Sequence, residues 1–181
     1  MIINPYRFAS ASGIATPIHW WDLDNLTTGL DDQGNGTNDM SLTAVGSVTV
    51  DTGDSPDSGD SLLTNSTSEY LHTATDHAWD GSGNAMTVSA WVKVDTMTST
   101  LASVMMWRDS SATGDRILHL DIQNASPDVS RFIVFDDAAT EALILKASST
   151  TITTATWWHL AATFDGVDQR AEGPGLRRCI R

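Results

Sequence analysis

Glutamate is nearly missing from this chain: Glu69, Glu141 and Glu172 are its only three, and lysine is confined to Lys93 and Lys146. So small a share of strong helix formers gives little reason to expect α-helices. Ten basic residues face 23 acidic ones, for a formal net charge of −13 and a pI near 4.4. That balance argues against nucleic acid as a partner, because phosphate contacts need clustered Lys and Arg to release counterions. Anionic membranes are poor partners for the same reason. No apolar run approaches the roughly 20 residues that a bilayer span requires, so no membrane span is expected. Cys179 is the sole cysteine, which excludes an intramolecular disulfide and leaves the fold to its core. The opening MIINPYRFAS has no basic stretch leading into an apolar one with a cleavage site, so no secretory signal peptide is expected.

Thr, Ser, Gly, Asp and Asn are abundant instead, a composition of strands and turns. At 181 residues the chain fits one domain by the usual prior of roughly 100 to 200 residues. Two runs are the most informative. In Met86-Thr-Val-Ser-Ala-Trp91-Val-Lys-Val94, Val88, Ala90, Val92 and Val94 alternate with Thr87, Ser89, Trp91 and Lys93. In Trp157-Trp158-His159-Leu160-Ala161-Ala162-Thr163-Phe164-Asp165-Gly166, Trp158, Leu160, Ala162 and Phe164 form the alternate set. Period two belongs to strands with one face on a core. Further strands are predicted at 18–23, 42–50, 61–63, 70–72, 102–108, 117–122, 131–135 and 143–146. Turn-rich stretches separate them, including Asp51-Thr-Gly-Asp-Ser-Pro-Asp-Ser-Gly-Asp60.

The two runs resemble the laminin G-like modules of the concanavalin A-like lectin and glucanase superfamily, in which an "sAWV" strand pairs with a later "WHhvAatfDG" strand. His19-Trp20-Trp21-Asp22-Leu23 is similar to that family's opening strand, and Asp31-Asp32-Gln33-Gly34-Asn35-Gly36 to the loop that follows it. Ser61-Leu62-Leu63 with Glu69-Tyr70-Leu71 is similar to its "sl.f.g...yl" hairpin. The resemblance runs from about His19 to Gly166. It implies an all-β, antiparallel jelly-roll β-sandwich, placed here at 15–166.

On either side the character changes. Residues 1–14 read as an extended arm suited to docking on neighbours, with Pro5 inside it. Residues 167–181 lose the alternation, hold Arg170, Arg177, Arg178, Arg181 and Cys179, and replace the "lYvDG" strand that the family continues into. A frameshifted or early-ended reading frame explains such a tail, and a basic tail on an acidic neighbour is the alternative. Loss of the last strands would leave an unpaired sheet edge, which invites another chain. MIINPYRF also resembles the start of tailed-bacteriophage structural proteins, which leads to an expected virion location and to other virion proteins, or further copies of this chain, as partners.

Catalysis of the glucanase kind needs two carboxylates facing each other about 5 to 10 Å apart. Glu69 has no acid within four positions, and Glu141 and Glu172 follow Asp137 and Asp168 outside the predicted strands. The chain is therefore expected not to be an enzyme. His119 and Asp121 share a strand face but have no nucleophile beside them, and read as ordinary strand polar residues. Asp22 and Asp24 read as turn residues. Calcium takes oxygen ligands from flexible Asp, Asn and Gly loops, which makes Asp31, Asp32, Asn35 and Asp39 the candidate metal ligands; the same residues also simply make turns. His72, Asp76 and His77 offer three of the four ligands zinc prefers. Sugar binding needs exposed rings beside polar groups. Trp20 or Trp21, Trp91 and Trp158 fall on sheet-forming segments, so Trp79 and Trp107, with Asp109, are the candidate carbohydrate-binding residues. The expected function is a binding or structural module, decorating a particle or adhering to cell-surface glycans. The alternative is a carbohydrate-binding module of a polysaccharide-processing system.

Overall fold

The computed structural model of the chain describes residues 2–4, 19–34, 40–73, 86–96, 100–108, 116–124, 128–135, 141–146 and 151–164. Their regular structure is β1 Ile2–Asn4, β2 Leu42–Val45, β3 Thr49–Asp51, β4 Ser61–Leu63, β5 Tyr70–Thr73, β6 Met86–Lys93, β7 Leu101–Arg108, β8 Arg116–Gln123, β9 Val129–Phe135, β10 Glu141–Lys146 and β11 Trp157–Phe164, with a 3₁₀ turn at Thr28–Leu30. No α-helix occurs among the described residues, as the shortage of Glu and Lys predicts. The fold is all-β and antiparallel. Two compact units divide the chain, Met1–His77 with Ala90–Lys93, and Ala78–Ser89 with Val94–Arg181. Strand β6 is divided between them, Met86–Ser89 falling in the second and Ala90–Lys93 in the first.

In the first unit β4 pairs with β3 (Val50↔Leu62) and with β1 (Ile3↔Leu62), and β1 pairs with β6 (Ile3↔Val92). Within the span read as an extended arm, Ile2–Asn4 is thus a strand with both edges occupied. These residues have no ladder edge left for a neighbour. Residues 5–14 and the tail 167–181 lie outside the described residues.

A separate hairpin joins β2 to β5, with Thr43 opposite His72, Ala44 opposite Leu71 and Val45 opposite Tyr70. Leu42, Ala44 and Leu71, together with Trp21, pack on the buried cluster Leu23, Leu30, Val48 and Leu62. The other face carries Thr43, Tyr70 and His72, all exposed.

Three expectations about this unit change. The single strand at 42–50 is two, because Gly46 adopts φ +80° and a Cβ there would stand 2.7 Å from the Ser68 carbonyl oxygen. The chain bends at that point and β3 leaves for another sheet. The 61–63 and 69–71 segments do not form a hairpin together, since β4 pairs with β1 and β3 while β5 pairs with β2. Residues 19–23 are not a strand, because their backbone groups are used elsewhere: Leu23 sits at φ 53° with its N–H on the Gly29 oxygen (3.0 Å), and Gln33 N–H bonds to the Trp20 oxygen (2.9 Å).

The second unit is built on a four-stranded sheet of order β10-β9-β8-β7. Leu118, Leu120 and Ile122 of β8 and Phe132 of β9 are buried, as are Val88, Val94, Ile152 and Leu160. The period-two reading of β6 holds: Val88 and Val92 are buried while Thr87 and Ser89 are exposed. Ala155 N–H bonds to the Val94 oxygen (2.9 Å) and Ile152 N–H to the Asp128 oxygen (3.0 Å), which fixes the approach to β11. Glu141, read outside any strand, opens β10 opposite Phe135 just before a bulge.

Candidate functional site

The alternation along β8 puts Leu118, Leu120 and Ile122 on one face and His119 and Asp121 on the other, yet all five are buried. A carboxylate and an imidazole out of water need partners, and the ladders supply them. Register sets Ser103 of β7 and Arg131 of β9 on either side of Asp121, and Met106 and Ile133 on either side of His119. Arg131 donates from Nε to Asp121 Oδ1 (2.9 Å) and from Nη2 to Oδ2 (2.7 Å). Ser103 Oγ lies 2.8 Å from His119 Nε2. His119 Nδ1 lies 3.2 Å from Asp121 Oδ2, within ion-pair distance but poorly aligned as a hydrogen bond. His119 and Asp121 are therefore parts of a four-residue polar cluster. Sequence reasoning missed Ser103 and Arg131, because their meeting depends on the register of three strands and on the bulge between Ser103 and Met105.

The acidic loop is organised by Asp32, whose side chain is 5 % exposed. Its Oδ1 accepts from Gly34 N–H (2.9 Å) and Trp20 N–H (3.3 Å), and its Oδ2 from His19 Nδ1 (2.6 Å) and Met40 N–H (3.1 Å). Burial alone would raise the Asp32 pKa, but the His19, Gly34, Met40 and Trp20 donors together hold the carboxyl below its ordinary value. Trp21 Nε1 caps the same loop on the Met40 oxygen (3.1 Å). Asp31 is exposed, while Asn35 and Asp39 lie outside the described residues. Among the described residues no group of three or more His, Cys, Asp or Glu side chains converges on one point.

The most exposed large apolar side chain among the described residues is Tyr70, at 51 %. Its ring centroid is 5.9 Å from that of His72, the planes tilted by 55°. His72 Nδ1 is tied to the Thr73 oxygen (2.8 Å), which leaves the ring edge with Nε2 pointing away from that bond. Asp24 keeps the turn role read from sequence, accepting from Asn25 Nδ2 (2.7 Å). Of the sugar-binding residues named from sequence, Trp107 lies in β7 opposite Leu118, whereas Trp79 and Asp109 lie outside the described residues, as do Asp76 and His77. No helix of the described residues is long and apolar enough to cross a membrane.

The antiparallel, all-β sheets of the described residues are consistent with a lectin-like β-sandwich. The chain belongs to the concanavalin A-like lectin/glucanases superfamily: a laminin G-type family model of that description matches residues 65–171, from just before β5 to beyond β11. Neither the curated proteins nor the solved structures provide a match. Membership suggests a binding module in class and does not name a ligand.

Proposed function

We propose that the chain is a glycan-binding module and that the outer face of the β2–β5 hairpin is a contact surface for sugar. The observation that carries this is the exposed Tyr70 ring beside His72, with the exposed Thr43 directly across the ladder from His72. A pyranose presents a face of C–H groups and a rim of hydroxyls. An aromatic ring with an apolar body and a polar end suits the first, and the Thr43 hydroxyl, His72 imidazole and Tyr70 phenol suit the second. Tyr70 contributes rigid contact area with few rotors to immobilise.

Trp79, Trp107 and Asp109 are further proposed sugar contacts, and calcium held by Asp31, Asp32, Asn35 and Asp39 a proposed cofactor. A virion decoration or adhesion component and a module of a polysaccharide-processing system are two settings for the same activity; the phage-like opening peptide supports the first. Self-association at β7 and β10, the strands that end the four-stranded sheet of the described residues, belongs to the same proposal, because the ends of a sheet are where further strands add. The test is binding of the purified protein to a broad glycan array, repeated with a calcium chelator. Saturable binding to a restricted set of glycans is expected, with loss on chelation if the acidic loop holds calcium. A folded sample that binds no glycan in either condition overturns the reading.

A further inference from the structure

We propose that Ser103 is an activated nucleophile, with His119 as its general base and Asp121 and Arg131 as positioning residues, and that it reacts with small carboxylic esters. This goes beyond glycan binding and does not depend on it. The chain of contacts is Ser103 Oγ to His119 Nε2 at 2.8 Å, His119 Nδ1 to Asp121 Oδ2 at 3.2 Å, and Asp121 to Arg131 at 2.9 and 2.7 Å. A nucleophile, a base within hydrogen-bond reach and a third group orienting the base are the geometric signature of a serine made reactive.

Burial and position divide the roles. Ser103 is exposed, on β7 at the edge of its sheet, while His119 and Asp121 are 2 % and 0 % exposed on β8 behind it. A substrate reaches the hydroxyl while the base and its carboxylate stay out of bulk water, where electrostatic orientation is stronger. The register shift takes Val104 out of the ladder directly after Ser103. Bulges of this kind re-aim side chains and gather beside active sites. Asp121 in its ion pair with Arg131 only accepts, so it favours the proton on His119 Nδ1 and leaves Nε2 to accept from Ser103. Arg131 fixes the Asp121 plane through its two parallel hydrogen bonds. The other groups in register with His119 are the apolar Met106 and Ile133, and Lys146 of β10 is in register with Arg131.

In the step itself, Ser103 Oγ bonds to the acyl carbon as its proton passes to His119 Nε2. The ester C–O bond then breaks, and the departing alkoxide takes that proton and leaves as the alcohol. Water then bonds to the acyl carbon as its proton passes to His119 Nε2, the acyl–Oγ bond breaks, and Ser103 Oγ takes that proton back from His119, which releases the carboxylic acid and restores the free serine.

The experiment is reaction of the whole chain with a fluorophosphonate, which phosphonylates an activated serine with loss of fluoride, followed by intact-mass and peptide analysis. A single adduct on Ser103 is expected, absent from Ser103→Ala and slowed about 100-fold in His119→Gln. Absence of an adduct on folded protein overturns the proposal, as does an equal rate in His119→Gln. Should His119→Gln fail to fold, labelling of Ser103 in the folded parent chain no faster than in the urea-unfolded chain overturns it as well.

Discussion

Arg131 and Asp121 face each other across the β8–β9 ladder and share two parallel hydrogen bonds, of 2.9 and 2.7 Å, with the carboxylate wholly buried. Removing one partner strands the other. Arg131→Ala is expected to lower unfolding free energy by about 3–5 kcal/mol, whereas replacing both residues together with apolar ones of similar volume should recover most of the loss. Urea denaturation reads both, as a midpoint shift at constant slope.

Leu118 is completely buried on the opposite face of β8. Leu118→Ala should therefore cost about 2–5 kcal/mol through lost burial and the cavity left behind. Tyr70→Ala, at an exposed position, should stay within about 0.5 kcal/mol of the parent in the same assay.

Gly46 holds the bend between β2 and β3 at φ +80°, and an added methyl would meet Ser68 oxygen at 2.7 Å and Glu69 Cγ at 2.9 Å. Gly46→Ala is expected to destabilise by more than about 1 kcal/mol. Gly53, at φ +74° with nothing within 4 Å, bears the backbone strain without the collision, so Gly53→Ala should cost less. Parallel thermal melts decide the order.

Acid should act in two stages. Burial lowers the pKa of His159, so the unfolded chain binds its proton more readily; stability is full above about pH 6.5 and falls as pH drops through the lowered folded-state value. Asp32 is also lowered, so its contribution is present above the ordinary carboxylate range and lost only as pH falls beneath about 4. His159→Gln should flatten the first stage and Asp32→Asn the second, measured as unfolding free energy against pH.

Alternation made much of this fold legible. The strands at 157–164 and 86–93 follow directly from period two in residues such as Val88, Val92 and Leu160, because a half-buried strand has only one way to sort its side chains. The break at Gly46 was less visible, since glycine in an apolar run does not announce a positive φ. The irregular path of 19–23 was hidden because Asp32, more than ten residues away, takes up the backbone and ring donors of Trp20 and His19. Of the polar cluster, His119 and Asp121 were readable as a pair on one face. Ser103 and Arg131 were not, since cross-strand neighbours depend on register, and one bulged residue changes which side chain meets His119. The exposure of Tyr70 is not legible in the sequence, because exposure is a property of packing.

The most direct measurement is titration of the parent chain, Tyr70→Phe and Tyr70→Ala with a glycan selected from the array, by calorimetry at one pH and salt concentration. Recognition through the hairpin face predicts that Tyr70→Phe retains most of the affinity while Tyr70→Ala loses at least about tenfold, some 1.4 kcal/mol, with its fold intact. Equal affinity for the parent chain and Tyr70→Ala would contradict it and move the sugar to another face of the molecule.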